Sequence, residues 1–255
     1  MTTKSNVSSD YLKQQHILHR DKKWNNNDLR VIITGANKED SIGREIGDVL
    51  SRFEFCTLIR GYGGNVTNAI DPAMHPFTNF NTLVCSHGVT WLDWFEDIPT
   101  HRLREIIDVN LTGTALIAQK FVTDTLTTKE RKRIIFIGSM AHRAVLNASA
   151  VYCASKAGLA MLGRCLAWEL APKGYDVFTI HPSNTEGTPM SEETIKGLER
   201  YRGISYDCAK EYWNDSPLRS HMLQTDDIAA LVMFLLGPHA DYLSGCQLEL
   251  SGGQR

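Results

Sequence analysis

Short apolar runs typical of buried strands alternate along this chain with longer segments whose apolar residues recur at helical spacing. The runs with strand character lie at 31–34, 56–59, 82–85, 134–137, 177–180 and 247–250. The segments with helical periodicity lie between them, at 42–53, 103–122, 155–170 and 226–236. Two parallel strands must be joined by a crossover of about a dozen residues, usually a helix. The alternation therefore predicts an α/β fold with a doubly wound parallel sheet.

The length of the chain and the character of its first residues set the predicted domain boundaries. With 255 residues, the chain is about as long as a single domain becomes before it divides. Residues 1–29 are polar, include an asparagine run at 25–27 and have little periodic apolar pattern. We interpret 1–29 as an extension and predict a single domain over 30–255.

Composition and charge argue against several kinds of partner. The chain has 27 basic and 29 acidic residues, a balance that gives no electrostatic footprint for nucleic acid or acidic membranes. We interpret the basic cluster at 131–133 as a solvated loop. The longest apolar run, 228–236, is shorter than the roughly 20 residues that span a bilayer. We therefore expect neither a nucleic-acid nor a membrane partner.

The six cysteines are scattered, without the spacing of a zinc site or a disulfide framework. The N-terminal segment also lacks the apolar core of a signal peptide. We therefore expect no metal site, and we expect reduced thiols in a cytoplasmic protein.

Ser139, Tyr152 and Lys156 form the most informative constellation in the chain, with twelve residues between the first two and three between the last two. Ser139 follows an apolar run that suits a buried parallel strand, and ligands collect at the C-terminal ends of such strands. If Tyr152 lies in the first turn of a helix, Lys156 stands one turn along on the same face. Since a nearby cation favours tyrosinate, the spacing predicts a proton-transfer site.

The residues after the first strand resemble a phosphate-binding turn. Gly35 and Gly43 flank a segment that leads directly into a helix-like run. Glycines let the backbone approach a pyrophosphate closely, and the helix that follows points unpaired N–H groups at it. Glycine spacing alone is a weak signal, but its place after the first strand favours a dinucleotide site.

Taken together, these motifs resemble the short-chain dehydrogenase/reductase family, in particular its compact members similar to 3-oxoacyl carrier-protein reductases. The resemblance covers about 30–255 and rests on Thr34-Gly35-Ala36, Ile42-Gly43, Gly88, Asn110, Ser139, Tyr152, Lys156, Pro182 and the C-terminal YLSGCQLELSGG. It implies a Rossmann-type fold and hydride transfer between a nicotinamide and a carbonyl or secondary alcohol.

The resemblance also implies a role for each catalytic candidate. Asn110 holds a water in a proton relay, and Ser139 donates a hydrogen bond to the reacting oxygen. Tyr152 exchanges its proton with the substrate, while Lys156 binds the nicotinamide ribose and lowers the pKa of Tyr152. The chemistry agrees with these roles, because an alkoxide formed by hydride transfer needs a donor and an acid.

The cofactor residues are carried over in the same way. The set expected to contact the dinucleotide is Gly35, Asn37, Lys38, Ser41, Ile42, Gly43, Arg60, Gly88, Tyr152, Lys156, Pro182, Thr185 and Thr188. An acid at the end of the second strand would bind the ribose 2′-hydroxyl of NAD, whereas a base accepts the 2′-phosphate of NADP. Arg60 stands there without a carboxylate nearby, and Lys38 could assist it. We therefore predict NADP over NAD.

The chain departs from the family pattern in the segment between Arg60 and Cys85, which is too short for two crossovers and a strand. We predict that the helix after the second strand is missing and that the edge strand near 65–67 is vestigial or absent. In the turn after the strand end, we interpret His87 as a hydrogen-bonded turn histidine; the alternative is a titrating group near the ribose.

Other features leave alternatives open. Ser41 replaces the middle glycine of the usual turn and resembles the enoyl-reductase branch, whereas the spacing of Tyr152 and Lys156 resembles the carbonyl-reducing branch. We favour carbonyl reduction; the alternatives are an enoyl-thioester reductase and a non-catalytic NADP-binding sensor on the same fold. The variable segment 190–222 is expected to close over a small-molecule substrate. The resemblance further implies a homo-oligomer, a tetramer or dimer, that pairs through helices at 100–122 and 152–170.

Overall fold

The computed structural model describes residues 29–52, 56–60, 76–215 and 221–253. These residues form one parallel sheet of six strands in the order β2-β1-β3-β4-β5-β6. The strands are β1 (Leu29–Thr34), β2 (Cys56–Arg60), β3 (Thr82–Cys85), β4 (Lys132–Ile137), β5 (Tyr175–Pro182) and β6 (Gln247–Leu250). The predicted α/β fold with a doubly wound parallel sheet is confirmed.

Seven α-helices are described, together with short 3₁₀ turns. They are α1 (Ile42–Leu50), α2 (Thr100–Ile107), α3 (Thr114–Thr125), α4 (Ala150–Leu170), α5 (Pro189–Arg202), α6 (Tyr206–Asn214) and α7 (Thr225–Leu235). Each helix predicted from periodicity is present. The helical segment predicted at 103–122 is longer, from Thr100 to Thr125. It is interrupted by a π-helical segment, Asp108–Gly113, which joins α2 to α3.

The core consists of two apolar layers, one on each face of the sheet. Alternate residues of β1 point into different layers: Ile33 packs in the layer that contains α1 and α7, and Ile32 packs in the layer that contains α3 and α4. Both side chains are fully buried. Strands covered on both faces read as continuous apolar runs, which explains why the sequence signal for these strands was clear.

The strand order places the ends of four strands around one crevice. From β1 the chain moves to β2 on one side and returns to β3 on the other, so β1 pairs with both. Ligands of doubly wound sheets bind where the strand order reverses in this way, outside the C-terminal ends of the strands. Thr34 at the end of β1 pairs with Cys85 at the end of β3, and the segments that follow both strands face the same crevice.

The interpretation of 131–133 as a solvated loop is wrong. Lys132 and Arg133 are buried at the start of β4. The guanidinium of Arg133 donates to the carbonyls of Leu235 and Gly237, 2.6 and 2.9 Å away, at the end of α7. The guanidinium of Arg131 forms ion pairs of 2.6 Å with two carboxylates. Because carbonyls left unpaired at a helix end need donors, this basic cluster joins α7 to the sheet.

Several predictions fall outside the described residues. The predicted extension at 1–29 does so except for Leu29, which is buried as the first residue of β1. The predicted loss of a helix and an edge strand after Arg60 concerns 61–75, which are also outside. Within the described ranges, no helix is both long and apolar enough to cross a membrane.

Candidate active site

Helix α4 places Tyr152 and Lys156 one turn apart, as the sequence predicted. Tyr152 is the third residue of the helix. The Lys156 ammonium nitrogen lies 5.8 Å from the centre of the Tyr152 ring. The same nitrogen donates to the carbonyl of Ile137, 3.2 Å away at the end of β4. The lysine is buried, so the hydrogen bond to the strand end fixes where its charge can lie.

Ser139 lies two residues beyond the end of β4, in extended backbone, and caps a short 3₁₀ turn. Its Oγ accepts a hydrogen bond of 3.1 Å from the backbone N–H of Ala141. The same side chain is a hydrogen-bond partner of Tyr152. The Tyr152 hydroxyl also lies 3.7 Å from the sulfur of Met190 on α5. Ser139, Tyr152 and the start of α5 therefore converge on one point.

Burial decides the protonation of the pair. It raises the pKa of Tyr152 to about 12, against the lowering effect of the hydrogen bond from Ser139. It lowers the pKa of Lys156 to about 8. The predicted lowering of the Tyr152 pKa by Lys156 stays a prediction. The pKa is raised because removing a phenolate from water costs more than the hydrogen bond from Ser139 returns.

Asn110 lies in the π-helical segment and is fully buried. Its side-chain amide donates to the carbonyl of Val89 at 2.9 Å and accepts from the N–H of the same residue at 2.8 Å. The amide also donates to the hydroxyl of Ser155 at 3.1 Å. Asn110 thus ties the loop after β3 to two helices. Its predicted role in a proton relay stays a prediction.

The glycine turn after β1 is tightly built. Gly35 has φ +73, and a Cβ there would lie 2.6 Å from the backbone nitrogen of His87. A Cβ on Gly43 would lie 2.9 Å from the carbonyl oxygen of Gly35. Ser41 caps α1 by accepting from the N–H of Arg44 at 3.2 Å. A turn that excludes side chains and leads into a capped helix N-terminus suits the diphosphate of a dinucleotide.

His87 lies between two threonine hydroxyls. Its Nδ1 is 2.6 Å from the hydroxyl of Thr34, and its Nε2 is 3.0 Å from the hydroxyl of Thr114. Burial, with a smaller effect of the Lys156 charge, lowers the pKa of His87 to about 4. The histidine is therefore neutral near pH 7. This geometry agrees with the interpretation as a hydrogen-bonded turn residue.

One cavity of about 1090 Å³ joins the glycine turn to Ser139 and Tyr152. Most of the predicted cofactor residues line it, namely Gly35, Asn37, Lys38, Ser41, Ile42, Gly88, Tyr152, Pro182, Thr185 and Thr188. Gly43, Asn110 and Lys156 are buried behind its wall. Arg60 ends β2, and the structure describes its backbone only. The sequence did not predict Met190, which also lines the cavity, because its contact with Tyr152 depends on how α5 packs.

The predicted lid at 190–222 contains α5 and α6 and is attached to the body by aromatic contacts. Trp91 lies between two guanidinium groups, 4.0 Å from Arg200 of α5 and 4.7 Å from Arg102 of α2. Arg200 also donates to the carbonyl of Leu92 and to a carboxylate oxygen of Asp93, 2.7 and 3.1 Å away. The aromatic residues of this region therefore fall into two groups. Trp91 joins the lid to the body, whereas Tyr201, Tyr212 and Trp213 line the cavity.

Comparison with known proteins agrees with this geometry. Residues 61–255 match a family model described as Enoyl-(Acyl carrier protein) reductase. The chain is 29% identical over 226 residues to the 3-oxoacyl-[acyl-carrier-protein] reductase FabG of Rickettsia prowazekii, covering 88% of this chain and 86% of the relative. It is 26% identical to sorbitol-6-phosphate 2-dehydrogenase of Escherichia coli, covering 86% and 84%. It is 31% identical to an uncharacterized oxidoreductase of Methylorubrum extorquens, covering 73% and 70%.

Solved structures share the fold at lower identity. A variant of actinorhodin polyketide ketoreductase with NADPH superposes with a TM-score of 0.76 at 21% identity, covering 91% of this chain and 98% of that one. The aldohexose dehydrogenase of Thermoplasma acidophilum, in ligand-free form, gives 0.73 at 22% identity, covering 89% and 94%.

The doubly wound sheet, the glycine turn and the Ser139, Tyr152 and Lys156 constellation define a nicotinamide-dependent oxidoreductase of the Rossmann type. With the family match, the chain belongs to the short-chain dehydrogenase/reductase family. It is an NAD(P)-dependent oxidoreductase that acts on a carbonyl or secondary alcohol group, as predicted.

Proposed function

We propose that this protein catalyses hydride transfer between NADP(H) and the carbonyl carbon of a small molecule, with Tyr152 as the acid and base. The observation that carries this proposal is that Ser139 and Tyr152 face the same cavity as the glycine turn. A reacting oxygen within reach of both hydroxyls would have a donor and a proton source at once.

The residues that would hold the dinucleotide follow the cavity wall. The turn at Gly35, with the N-terminus of α1, fits the diphosphate, and Gly88 leaves space beside Lys156, where a Cβ would lie 3.6 Å from its ammonium. Pro182, Thr185 and Thr188 line the wall after β5 and are proposed to face the carboxamide. When bound, the nicotinamide supplies or accepts the hydride.

Preference for NADP is proposed from the end of β2. Arg60 pairs with Ile33, two residues before Gly35, so its backbone lies beside the glycine turn. Lys38 of that turn lines the cavity. Neither position offers a carboxylate for a ribose 2′-hydroxyl, whereas both offer a cation for a 2′-phosphate.

The raised pKa of Tyr152 suits reduction. With a pKa of about 12 the phenol is protonated near pH 7 and can give its proton to the alkoxide that hydride transfer forms. Ser139 would donate to the same oxygen through its hydroxyl hydrogen, because the Oγ lone pair is engaged by Ala141. Lys156, with a pKa lowered to about 8, is proposed to return a proton to Tyr152. Asn110 is proposed to hold the water that connects this pair to solvent.

Enoyl-thioester reduction is a second candidate, favoured by one observation. Ser41 at the middle of the glycine turn caps α1 and donates to the carbonyl of Lys38 at 2.8 Å, so the turn is built around a serine. Carbonyl reduction is preferred because the acid group, with Tyr152 and Lys156 one helical turn apart, determines the chemistry more directly than the phosphate turn does.

A substrate panel tests the proposal. Simple ketones, acetoacetyl-coenzyme A, an enoyl-coenzyme A and sugar alcohols are offered with each nicotinamide cofactor, and nicotinamide absorbance is followed. We expect turnover of at least one carbonyl or alcohol, and we expect Tyr152→Phe to lower kcat by roughly 10²-fold or more. Tyr242→Phe, a change of the same kind on an exposed side chain, is the control.

Three outcomes would contradict this proposal. Turnover that survives Tyr152→Phe would remove the tyrosine from the mechanism. Turnover of enoyl thioesters alone would favour the second candidate. Cofactor binding without turnover of any compound would support a sensor on this fold.

Assembly into a homotetramer is also proposed, with a cytoplasmic location. Helix α4 carries exposed apolar side chains, with Met161 at 55% and Trp168 at 86% exposure. Large exposed apolar side chains on one helix favour an interface with another copy. The five cysteines whose side chains the structure describes are free thiols, which supports a reducing compartment.

A further inference from the structure

Two stacked imidazoles lie against the backbone of Ser139. His142 belongs to the 3₁₀ turn that Ser139 caps, and His181 lies near the end of β5. Their ring centres are 3.7 Å apart and their planes are inclined by 26°. His181 is completely buried, and the side chain of His142 is 11% exposed. We call these two residues the histidine pair; none of the proposed steps so far uses them.

Both members of the pair point the same ring nitrogen at one atom. Nδ1 of His142 is 2.9 Å and Nδ1 of His181 is 3.0 Å from the carbonyl oxygen of Ser139. A carbonyl oxygen has two lone pairs and can accept from two donors at once. The backbone N–H of His142 is one donor to this oxygen, 3.0 Å away, and a hydrogen on Nδ1 of His181 would supply the second.

The contacts of Gln247 and of the Ser139 N–H bear on the tautomer of His181. Nδ1 of His181 also lies 3.3 Å from the backbone nitrogen of Ser139, and one nitrogen cannot donate to the carbonyl and accept from this N–H together. Nε2 of His181 lies 2.7 Å from the side-chain amide oxygen of Gln247. The amide nitrogen of Gln247 is buried without a partner among the described residues.

Turning that amide end for end gives its nitrogen a partner, and the contact between the N–H of Ser139 and Nδ1 is then no longer a hydrogen bond. The amide nitrogen then donates to Nε2 of His181, and Nδ1 carries the hydrogen that the carbonyl of Ser139 accepts. The resulting imidazole is neutral, in agreement with burial, which lowers the pKa of His181.

Strand β6 supports the pair from the other side. Glu249 lies 3.7 Å from Nε2 of His142, and Arg143 holds its two carboxylate oxygens at 2.6 and 2.7 Å. Gln247 and Glu249 are alternate residues of β6, so they share one face of the strand. The last strand of the sheet therefore touches both imidazoles.

Gly138 shows how closely His181 is fitted. A Cβ at this position would lie 2.5 Å from Nδ1 of His181. Because real Cβ atoms do not approach so closely, only glycine before Ser139 leaves room for the imidazole. Gly138, directly before Ser139, is thus packed against His181, directly before Pro182.

We propose that His142 and His181 are positioning residues that hold the backbone of Ser139, and through it the Ser139 hydroxyl, in place for the reacting oxygen. This inference rests on the proposed function of Ser139. A backbone held by two donors leaves the side chain little freedom to swing away from Tyr152. Protonation of one imidazole would place a positive charge against the other ring and would disturb this hold. Glu249 and Arg143 are the charged groups beside the pair.

The first test reads the tautomers directly in the wild-type protein. Nitrogen-15 NMR of labelled histidines distinguishes Nδ1–H from Nε2–H, and near pH 7 we expect Nδ1–H for His181. A spectrum with the His181 proton on Nε2 alone would overturn the proposal, and this result depends on neither turnover nor a variant.

The second test uses matched variants, acetoacetyl-coenzyme A and NADPH. Asparagine places an amide N–H near the position of Nδ1, whereas leucine fills similar space without a donor. We expect His181→Leu to lower kcat about tenfold and His181→Asn to keep kcat within about threefold of wild type. We expect a smaller loss in His142→Leu, because its backbone N–H still donates to the carbonyl of Ser139. The dissociation constant of NADPH, measured by nicotinamide fluorescence, should change less than about twofold in all three.

The comparison of leucine with asparagine separates positioning from simple packing. Equal kcat values for the two substitutions, or a wild-type kcat in His181→Leu, would overturn the proposal. His101→Leu, on the exposed surface of α2, is the control. If wild type fails to turn over acetoacetyl-coenzyme A or any other compound of the panel, the proposed function fails instead, and the NMR test still decides the inference.

Discussion

Burial sets the chemistry of the two ionisable residues that define this site. It raises the pKa of Tyr152 to about 12 and lowers the pKa of Lys156 to about 8, so both shifts favour the neutral form. A neutral phenol is a proton donor, and a lysine that titrates near neutrality can be both donor and acceptor. The spacing of Tyr152 and Lys156 predicted that they lie close together. The direction of the pKa shift of Tyr152, in contrast, depends on which groups bury the ring.

His87 gives a prediction for stability at the residue scale. Its pKa is about 4 in the folded protein and 6.5 in the unfolded chain, so between these values the unfolded chain binds the extra proton. The stability contribution is complete above pH 6.5 and is lost as the pH falls towards 4. We expect His87→Asn to reduce the difference in unfolding free energy between neutral pH and pH about 4.5 by about 2 kcal/mol.

Urea denaturation at several pH values measures this difference. His101→Asn, on an exposed surface of α2, serves as the control because its imidazole is in solvent. A His87→Asn protein with the pH dependence of wild type would show that the buried turn histidine does not destabilise the fold in acid.

Arg60 gives a second prediction at this scale, about cofactor choice. Removing its guanidinium in Arg60→Ala should lower kcat/KM with NADPH by roughly tenfold, because a charge-assisted contact with the 2′-phosphate is lost. With NADH the value should change less than about threefold. Arg52→Ala, an exposed arginine just beyond α1, is the matched control. An unchanged ratio between the two cofactors would assign the preference to other residues.

At the scale of elements, the attachment of the lid to the body leads to a prediction. Arg200 joins α5 to the loop after β3 through Trp91, Leu92 and Asp93. Arg200→Ala should raise the KM of the substrate severalfold and lower the free energy of unfolding by about 1 kcal/mol, because the cation–π contact and the hydrogen bonds are lost. Steady-state kinetics and thermal unfolding measure the two effects.

Lys196→Ala is the matched control for the lid. Lys196 belongs to the same helix and has a 62% exposed side chain, which forms an ion pair with Glu192 on α5 itself. Such surface pairs contribute little. Arg200→Ala kinetics equal to those of Lys196→Ala would show that the contact with Trp91 does not control the lid.

The long helix that carries Asn110 shows a limit of sequence patterns at this scale. Periodicity predicted one helix at 103–122, whereas the structure has a π-helical segment at Asp108–Gly113 between α2 and α3. The extra residue in the turn lets the Asn110 amide bond the backbone of Val89 on one side and Ser155 on the other. Those partners are distant in the chain, so no local pattern could reveal the interruption.

At the scale of the whole molecule, we predict a homotetramer with α4 at an interface. Light scattering should give a mass roughly four times the 28.6 kDa of one chain. Trp168→Glu, at an 86% exposed position of α4, should shift the protein to smaller assemblies because a charge would be buried. Phe95→Glu changes an exposed aromatic residue outside the helices proposed to pair and should leave the mass unchanged. A monomeric wild type at micromolar concentration would contradict the prediction.

The sequence by itself determined the class of fold and the chemistry of the site. Strands buried on both faces leave continuous apolar runs, and Tyr152 and Lys156 lie one helical turn apart, so both signals are local and legible in the chain. The tertiary structure alone decided which groups surround them. The cluster at 131–133 is buried because α7 ends against it, and His142 meets His181 because β4 and β5 are neighbours. Contacts of this kind join residues far apart in sequence, and only the packed sheet brings them together.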